Sequence, residues 1–168
     1  SEYKLSSEGK LLASGKGIGH RIVSGTARVI GSPKDERAHL LKRGDILVTD
    51  ITNPDWDPVL KRASAIVTNK GGRTSHAAIV AREMGTVAIV GALNATDVLQ
   101  EGQLVTVSCA EGRTGKVHDG QLDWTETSID LPALYREVLL AQPDLAEIVK
   151  PLDTPGLRQY AYEMAVGV

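Results

Sequence analysis

Phenylalanine is absent from this chain, and aromatic residues make up only 4% of its 168 positions. A core without aromatic bulk must be filled by Val, Ile, Leu and Ala, a composition that suits parallel strands covered on their faces by helices. The single cysteine, Cys109, excludes an internal disulfide and fits a reducing compartment. No apolar run approaches the ~20 residues of a membrane span, and the opening SEYKLSSEGK has no apolar segment of the kind a secretory signal requires. Charge of either sign is scarce in excess: 19 Lys+Arg stand against 21 Asp+Glu, for a net charge of -2. Nothing electrostatic therefore points to nucleic acid or an anionic membrane as a partner. These absences leave a cytoplasmic globular protein as the expectation.

What is present has a clear order. LLASGKGIGHRIVSGTARVI, with glycines at 15, 17, 19 and 25 and Gly31 directly after it, reads as short β-strands. GDILVTD (44–50) predicts another strand. Asp57-Pro58 predicts a helix N-cap followed by the first helical position, with the helix running to about Ala63. AIVTN (65–69), SHAAIVAREMG (75–85), VAIVG (87–91), Ala95–Leu99 and QLVTVSC (103–109) then alternate strand, helix, strand, helix, strand, with a last strand at about Lys116–His118. The expected fold is α/β, a β sandwich or barrel layer beside a parallel βαβ layer. The expected domain spans residues 1–128. Residues 129–168, where LPALYREVLLAQPDLAEIVK has helical spacing interrupted at Pro143, read as a linker or helical tail.

The chemistry concentrates in KGGRTSHAAIVARE, residues 70–83. Gly71 and Gly72 after a buried strand let the backbone turn tightly and approach a ligand. Thr74 is the expected N-cap, which puts His76 in the first helical turn. Backbone N–H groups there lack intrahelical partners and, with the helix dipole, can hold an anion. A partly positive helix end disfavours an imidazolium, and a neutral imidazole is a nucleophile. A phosphoryl group on the same ring would carry about two negative charges, which that helix end stabilises. Arg73, with Arg82 behind it, is the expected screen for phosphoryl oxygens. Ala77, Val80, Ala81 and Met84 form the stripe expected to face the sheet.

GGRTSHAAIVARE, preceded by TDITNPDWDPVLKRASAIVTN and followed by VTVSCAEGRTGKV, resembles the swivelling phosphohistidine domain of the PEP-utilising enzymes, with the PDW loop, GGRT and SCAEG leaning towards the phosphoenolpyruvate synthases (pyruvate, water dikinases). The resemblance covers roughly residues 10–123 and implies a β/β/α swivelling fold. It implies further that an ATP-grasp domain passes the pyrophosphoryl end of ATP, with Mg2+, to His76 as AMP leaves. Phosphate is then lost, and the remaining phosphoryl group goes to pyruvate in a TIM-barrel domain. His76 matches the catalytic histidine of that family, and Gly71, Gly72, Arg73, Thr74 and Ser75 its phosphate-positioning loop. Thr74 also matches the threonine that a regulatory kinase/phosphorylase modifies. Ser75 stands where synthases usually have Cys, and Thr86-Val87 where they usually have Ile-Pro. Pyruvate phosphate dikinase and enzyme I of the sugar phosphotransferase system share the TSHAA core and remain alternatives, as does a non-catalytic scaffold of the same fold.

Other candidates carry less. Asp50, Asp55 and Asp57 lack the spacing of a calcium loop and read as turn and capping residues, while the resemblance implies that their loop lies near the phosphohistidine. His20, His39 and His118 lack paired zinc-ligand spacing, so no metal site is expected. Cys109 reads as core packing, and no bound cofactor is expected in this segment alone.

Overall fold

The computed structural model describes residues 2–128 and 131–141. The chain divides into two compact units, one formed by Glu2–Thr127 and the other by Ser128–Val168 with Ser1. The described part of the second unit is a helix, Leu131–Ala141, which occupies the start of the predicted helical tail; the remainder of that tail lies outside the described residues.

Within the first unit, seven strands close into a barrel: β2 (Leu11–Ile18), β3 (Ile22–Val29), β4 (Asp45–Thr49), β5 (Ala65–Thr68), β6 (Val87–Val90), β7 (Leu104–Ser108) and β8 (Thr114–Asp119). A separate ribbon pairs β1 (Glu2–Leu5) with β9 (Trp124–Thr127) in antiparallel fashion. Around the barrel the order is β2-β6-β5-β4-β3-β7-β8. Strands β3, β4, β5 and β6 run parallel to one another; every other pairing is antiparallel. The parallel layer and the Gly-punctuated β region expected from the sequence are thus two arcs of one closed sheet.

Side-chain alternation divides the apolar residues into two cores. On the barrel's inside lie Ile46 and Val48 of β4, Ala65 and Val67 of β5, and Val87 and Ile89 of β6, together with Val105, Val107, Cys109 and Val117. A short helix, α4 (Ala95–Val98), contributes Ala95 to this interior cluster, and Leu99 follows it. The intervening residues Leu47, Ile66, Ala88 and Val90 point the other way, into a second cluster. That cluster is completed by Ala38 of α1 (Glu36–Leu40), by Trp56, Val59 and Leu60, and by Ala77, Ala78 and Ala81 of α3 (His76–Met84). Burial of each large side chain in these layers contributes roughly 1.5–3 kcal/mol. Small residues at 77, 78 and 81 let α3 pack closely over β6, and Val80 and Met84 border the contact as the helical stripe predicted.

Two local expectations need correction. Asp57 is not an N-cap. A 3-10 turn, Pro54–Trp56, precedes it and is capped by Asn53, whose Oδ1 accepts from Asp55 N at 3.0 Å; this turn runs straight into α2 (Asp57–Leu60), where Asp57 already has helical dihedrals. Thr74 is not the cap of α3 either. The N-cap position falls on Ser75, whose carbonyl accepts the first helical bond from Ile79 N at 3.0 Å. Gly85 ends the helix in the left-handed conformation at φ 65, as expected.

Candidate active site

The loops that follow β4, β5 and β6 lie at the carboxyl ends of parallel strands, and Asn69 ties them together. Its side-chain amide donates to Asp50 Oδ1 at 3.1 Å and to Thr96 Oγ1 at 2.7 Å, and its Oδ1 accepts from Thr96 N at 3.1 Å. Its backbone carbonyl accepts from Leu93 N at 3.0 Å. The Asn69 hydrogen bond, then that of Lys70, holds the Asp50 carboxyl below its ordinary value. This frame fixes the floor from which Gly71–Ser75 rises towards α3.

In that loop only one glycine is demanded by conformation. Gly71 has φ +107, and a Cβ there would come within 2.9 Å of Ser75 Cβ. Gly72 has no positive φ, and a Cβ would meet nothing closer than Lys16 Nζ at 3.7 Å. The carbonyl of Gly72 does the structural work, accepting from Ser75 N at 3.1 Å and from Ser75 Oγ at 2.7 Å. Ser75 Oγ therefore closes the turn and does not cap the helix. Arg73, expected to screen phosphate, spends its guanidinium on the carbonyls of Gly17 and Arg113, both at 3.2 Å. Arg82 donates to the carbonyl of Arg73. Both arginines act as a clamp on the loop. Thr74 is exposed on the turn, two residues ahead of His76.

His76 is the first residue of α3, so its N–H and those of Ala77 and Ala78 precede the first helical hydrogen bond. Both ring nitrogens have partners. Nδ1 lies 2.8 Å from Thr52 Oγ1, and Nε2 lies 2.9 Å from Asp57 Oδ1. A carboxylate only accepts, so Nε2 donates to Asp57, and in the neutral ring Nδ1 then accepts from the Thr52 hydroxyl. The two sides of the ring differ. Thr52 is buried at 8% exposure, whereas the Asp57 side chain is 47% exposed. The His76 side chain is 23% exposed, held between the buried hydroxyl on one side and the half-exposed carboxylate on the other. Sequence reasoning placed His76 in the first turn of this helix, assigned Asp57 to capping and passed over Thr52. The only signal for either was their place in the TNPDWD string near the family motif.

The other titratable candidates lie elsewhere. His20 and His39 are exposed, while His118 is buried, with Nδ1 3.4 Å from the carbonyl of Gly9. Burial pushes the Cys109 thiol up to about 11.

The loop and helix that deliver His76 fall within a segment with known relatives. Residues 41–112 fit the model described as the mobile domain of PEP-utilising enzymes. Among curated relatives, the phosphoenolpyruvate synthase of Pseudomonas aeruginosa (strain UCBPP-PA14) is 50% identical over 149 residues, covering 86% of this chain and 19% of that protein. The phosphoenolpyruvate synthase of Escherichia coli (strain K12) is 51% identical over 136 residues, covering 77% of this chain and 17% of its own length. That of Deinococcus radiodurans is 52% identical over 132 residues, covering 79% and 17%. The chain thus spans less than a fifth of these relatives. Among solved structures, the NMR structure of an Enzyme I protein aligns over 48% of this chain and 33% of its own, with 29% identity and a TM-score of 0.41. Among the described residues no helix is long and apolar enough to cross a membrane.

Proposed function

We propose that this chain is the phosphoryl-carrying domain of a phosphoenolpyruvate synthase and that His76 carries the phosphoryl group. The observation that bears most weight is the placement of the His76 ring: at the first position of a nine-residue helix, anchored through one nitrogen by a buried hydroxyl and facing the half-exposed carboxylate of Asp57 with the other. The identity to phosphoenolpyruvate synthases over most of the chain supports the choice of enzyme.

Nε2 is the nitrogen that receives phosphorus, because Nδ1 faces buried Thr52 at 2.8 Å and has no room for a tetrahedral group. Attack through Nε2 needs the tautomer with the ring proton on Nδ1. The Thr52 hydroxyl serves both tautomers, since it can donate to a bare Nδ1 or accept from a protonated one. In the cycle that the resemblance implies, the Nε2 lone pair bonds to the β-phosphorus of ATP, and the bond to the α-phosphate oxygen breaks as AMP leaves. Water then splits off the terminal phosphate, and the phosphoryl group that remains moves to the enolate oxygen of pyruvate. The dianion left on the ring in between is favoured by the helix N-terminus, by about 1–2 kcal/mol in a partly buried site. ATP and its Mg2+ are substrate of an ATP-grasp domain, and pyruvate binds in a TIM-barrel domain, both outside this chain in the same cytoplasmic enzyme. Phosphorylation of exposed Thr74 by a regulatory kinase would set like charge and bulk beside the nucleophile and inhibit transfer.

The test is turnover of the full-length enzyme that contains this chain. With ATP, Mg2+ and pyruvate it should form phosphoenolpyruvate, AMP and inorganic phosphate, and His76→Ala should abolish the reaction. A strict requirement for added phosphate would favour the dikinase, and full activity in His76→Ala would refute the assignment.

A further inference from the structure

We propose that Asp57 is a positioning residue that holds the unphosphorylated His76 ring by its Nε2 proton and must withdraw before phosphorus can bind there. The inference rests on the reading of His76 as a phosphoryl carrier. Its physical basis is a conflict of position and charge. Asp57 Oδ1 stands 2.9 Å from Nε2, in the place a phosphoryl oxygen would take. A carboxylate and a phosphoryl dianion on adjacent atoms repel, so the two occupants of Nε2 exclude each other.

Asp57 is suited to leave. Its carboxylate caps no helix, since Asn53 caps the preceding turn and α2 begins without a side-chain cap. Its backbone is fixed at the start of α2, directly after buried Trp56, but the side chain is half exposed, so a change of rotamer sacrifices no packing. Thr52 on the opposite nitrogen is buried and stays. The ring therefore has a permanent anchor and a releasable one. While Asp57 is engaged, the ring keeps its proton on Nε2, the unreactive tautomer for transfer at that atom. When it withdraws, the proton moves to Nδ1 by exchange with water, and the Nε2 lone pair is uncovered.

The experiment uses the 168-residue chain with potassium phosphoramidate, a small phosphoryl donor that needs no partner domain. Nε2 forms the N–P bond as the donor's own P–N bond breaks; the ring's one proton leaves with the departing amine as ammonium. Long-range 1H–15N spectra of the ring report the tautomer, and 31P spectra the rate. Wild type should show the proton on Nε2; Asp57→Ala should shift it towards Nδ1 and accept phosphorus about fivefold faster, the equivalent of one hydrogen bond of ordinary net strength. Asp57→Glu should restore the wild-type tautomer, a rescue that a merely structural role would not produce. An Asp57→Ala ring with the wild-type tautomer, or one phosphorylated no faster, overturns the proposal. Failure of the carrier reading looks different: the Asp57 effects persist, but His76 in the full-length enzyme takes no label from ATP.

Discussion

The two glycines of the His76 loop give a sharp comparison, because they are adjacent in sequence and opposite in what the structure asks of them. Replacing Gly71 by Ala puts a side chain at φ +107, with its Cβ 2.9 Å from Ser75 Cβ and 3.0 Å from Ser75 Oγ. Strain of that backbone kind costs about 1–3 kcal/mol, and displacing Ser75, whose hydroxyl closes the turn on Gly72 O at 2.7 Å, costs about 1 kcal/mol more for the hydrogen bond. The sum is about 2–4 kcal/mol. Replacing Gly72 by Ala meets only Lys16 Nζ at 3.7 Å; there the gain from a stiffer unfolded chain, about 0.4–1 kcal/mol, is free to appear. Thermal unfolding resolves the difference, since each kcal/mol moves the midpoint by about 3 °C for a chain of this size. Gly71→Ala should lower the midpoint and shift the His76 ring signals, while Gly72→Ala should leave both near wild type. Equal effects of the two substitutions would refute the loop geometry.

Other outcomes follow from the frame around the site. Asn69→Ala removes three side-chain hydrogen bonds to Asp50 and Thr96; it should destabilise by about 2 kcal/mol and raise hydrogen exchange in the loops after β4 and β6, and unchanged exchange would contradict the role given to Asn69. Asp50, held below the ordinary aspartate value by Asn69 and Lys70, stabilises the loop above the unfolded value and loses that contribution as pH falls through its lower folded value. The Asn69 side-chain amide should therefore shift with a midpoint below 3.8, and a midpoint at or above that figure would sink the assignment. Cys109, buried and protonated up to about 11, should resist alkylation by iodoacetamide at pH 8 in the folded chain and react on unfolding; rapid labelling of native protein would contradict its place in the barrel.

The elements that the sequence made legible are those with a strong period. Continuous apolar runs at 46–48, 65–67 and 87–90, and the alanine stripe of α3, follow from burial on two faces or one. Closure of the barrel was not legible, because it depends on backbones coming together far apart in sequence. At the seam, Gly15 of β2 faces Val90 so closely that a Cβ would sit 2.5 Å from its carbonyl oxygen. Short elements escaped as well: α1 has five residues with one buried alanine, and β1 and β9 pair only with each other. Within the site, the histidine and its loop were read from residue types, but the roles of their neighbours were not. Arg73 and Arg82 read as phosphate ligands in a string of letters, and which backbone carbonyls their guanidinium groups reach is visible only in space. Thr52 and Asp57 lie 24 and 19 residues before His76, and no local rule brings them to its ring.

The central claim is that His76 Nε2 takes phosphorus from ATP. Its direct measurement is to incubate the full-length enzyme with ATP labelled in the β-phosphate, without pyruvate, and to locate the label. An acid-labile, base-stable adduct on His76, absent from His76→Ala, is the result expected; an unlabelled wild-type chain, or label retained by His76→Ala, would contradict it.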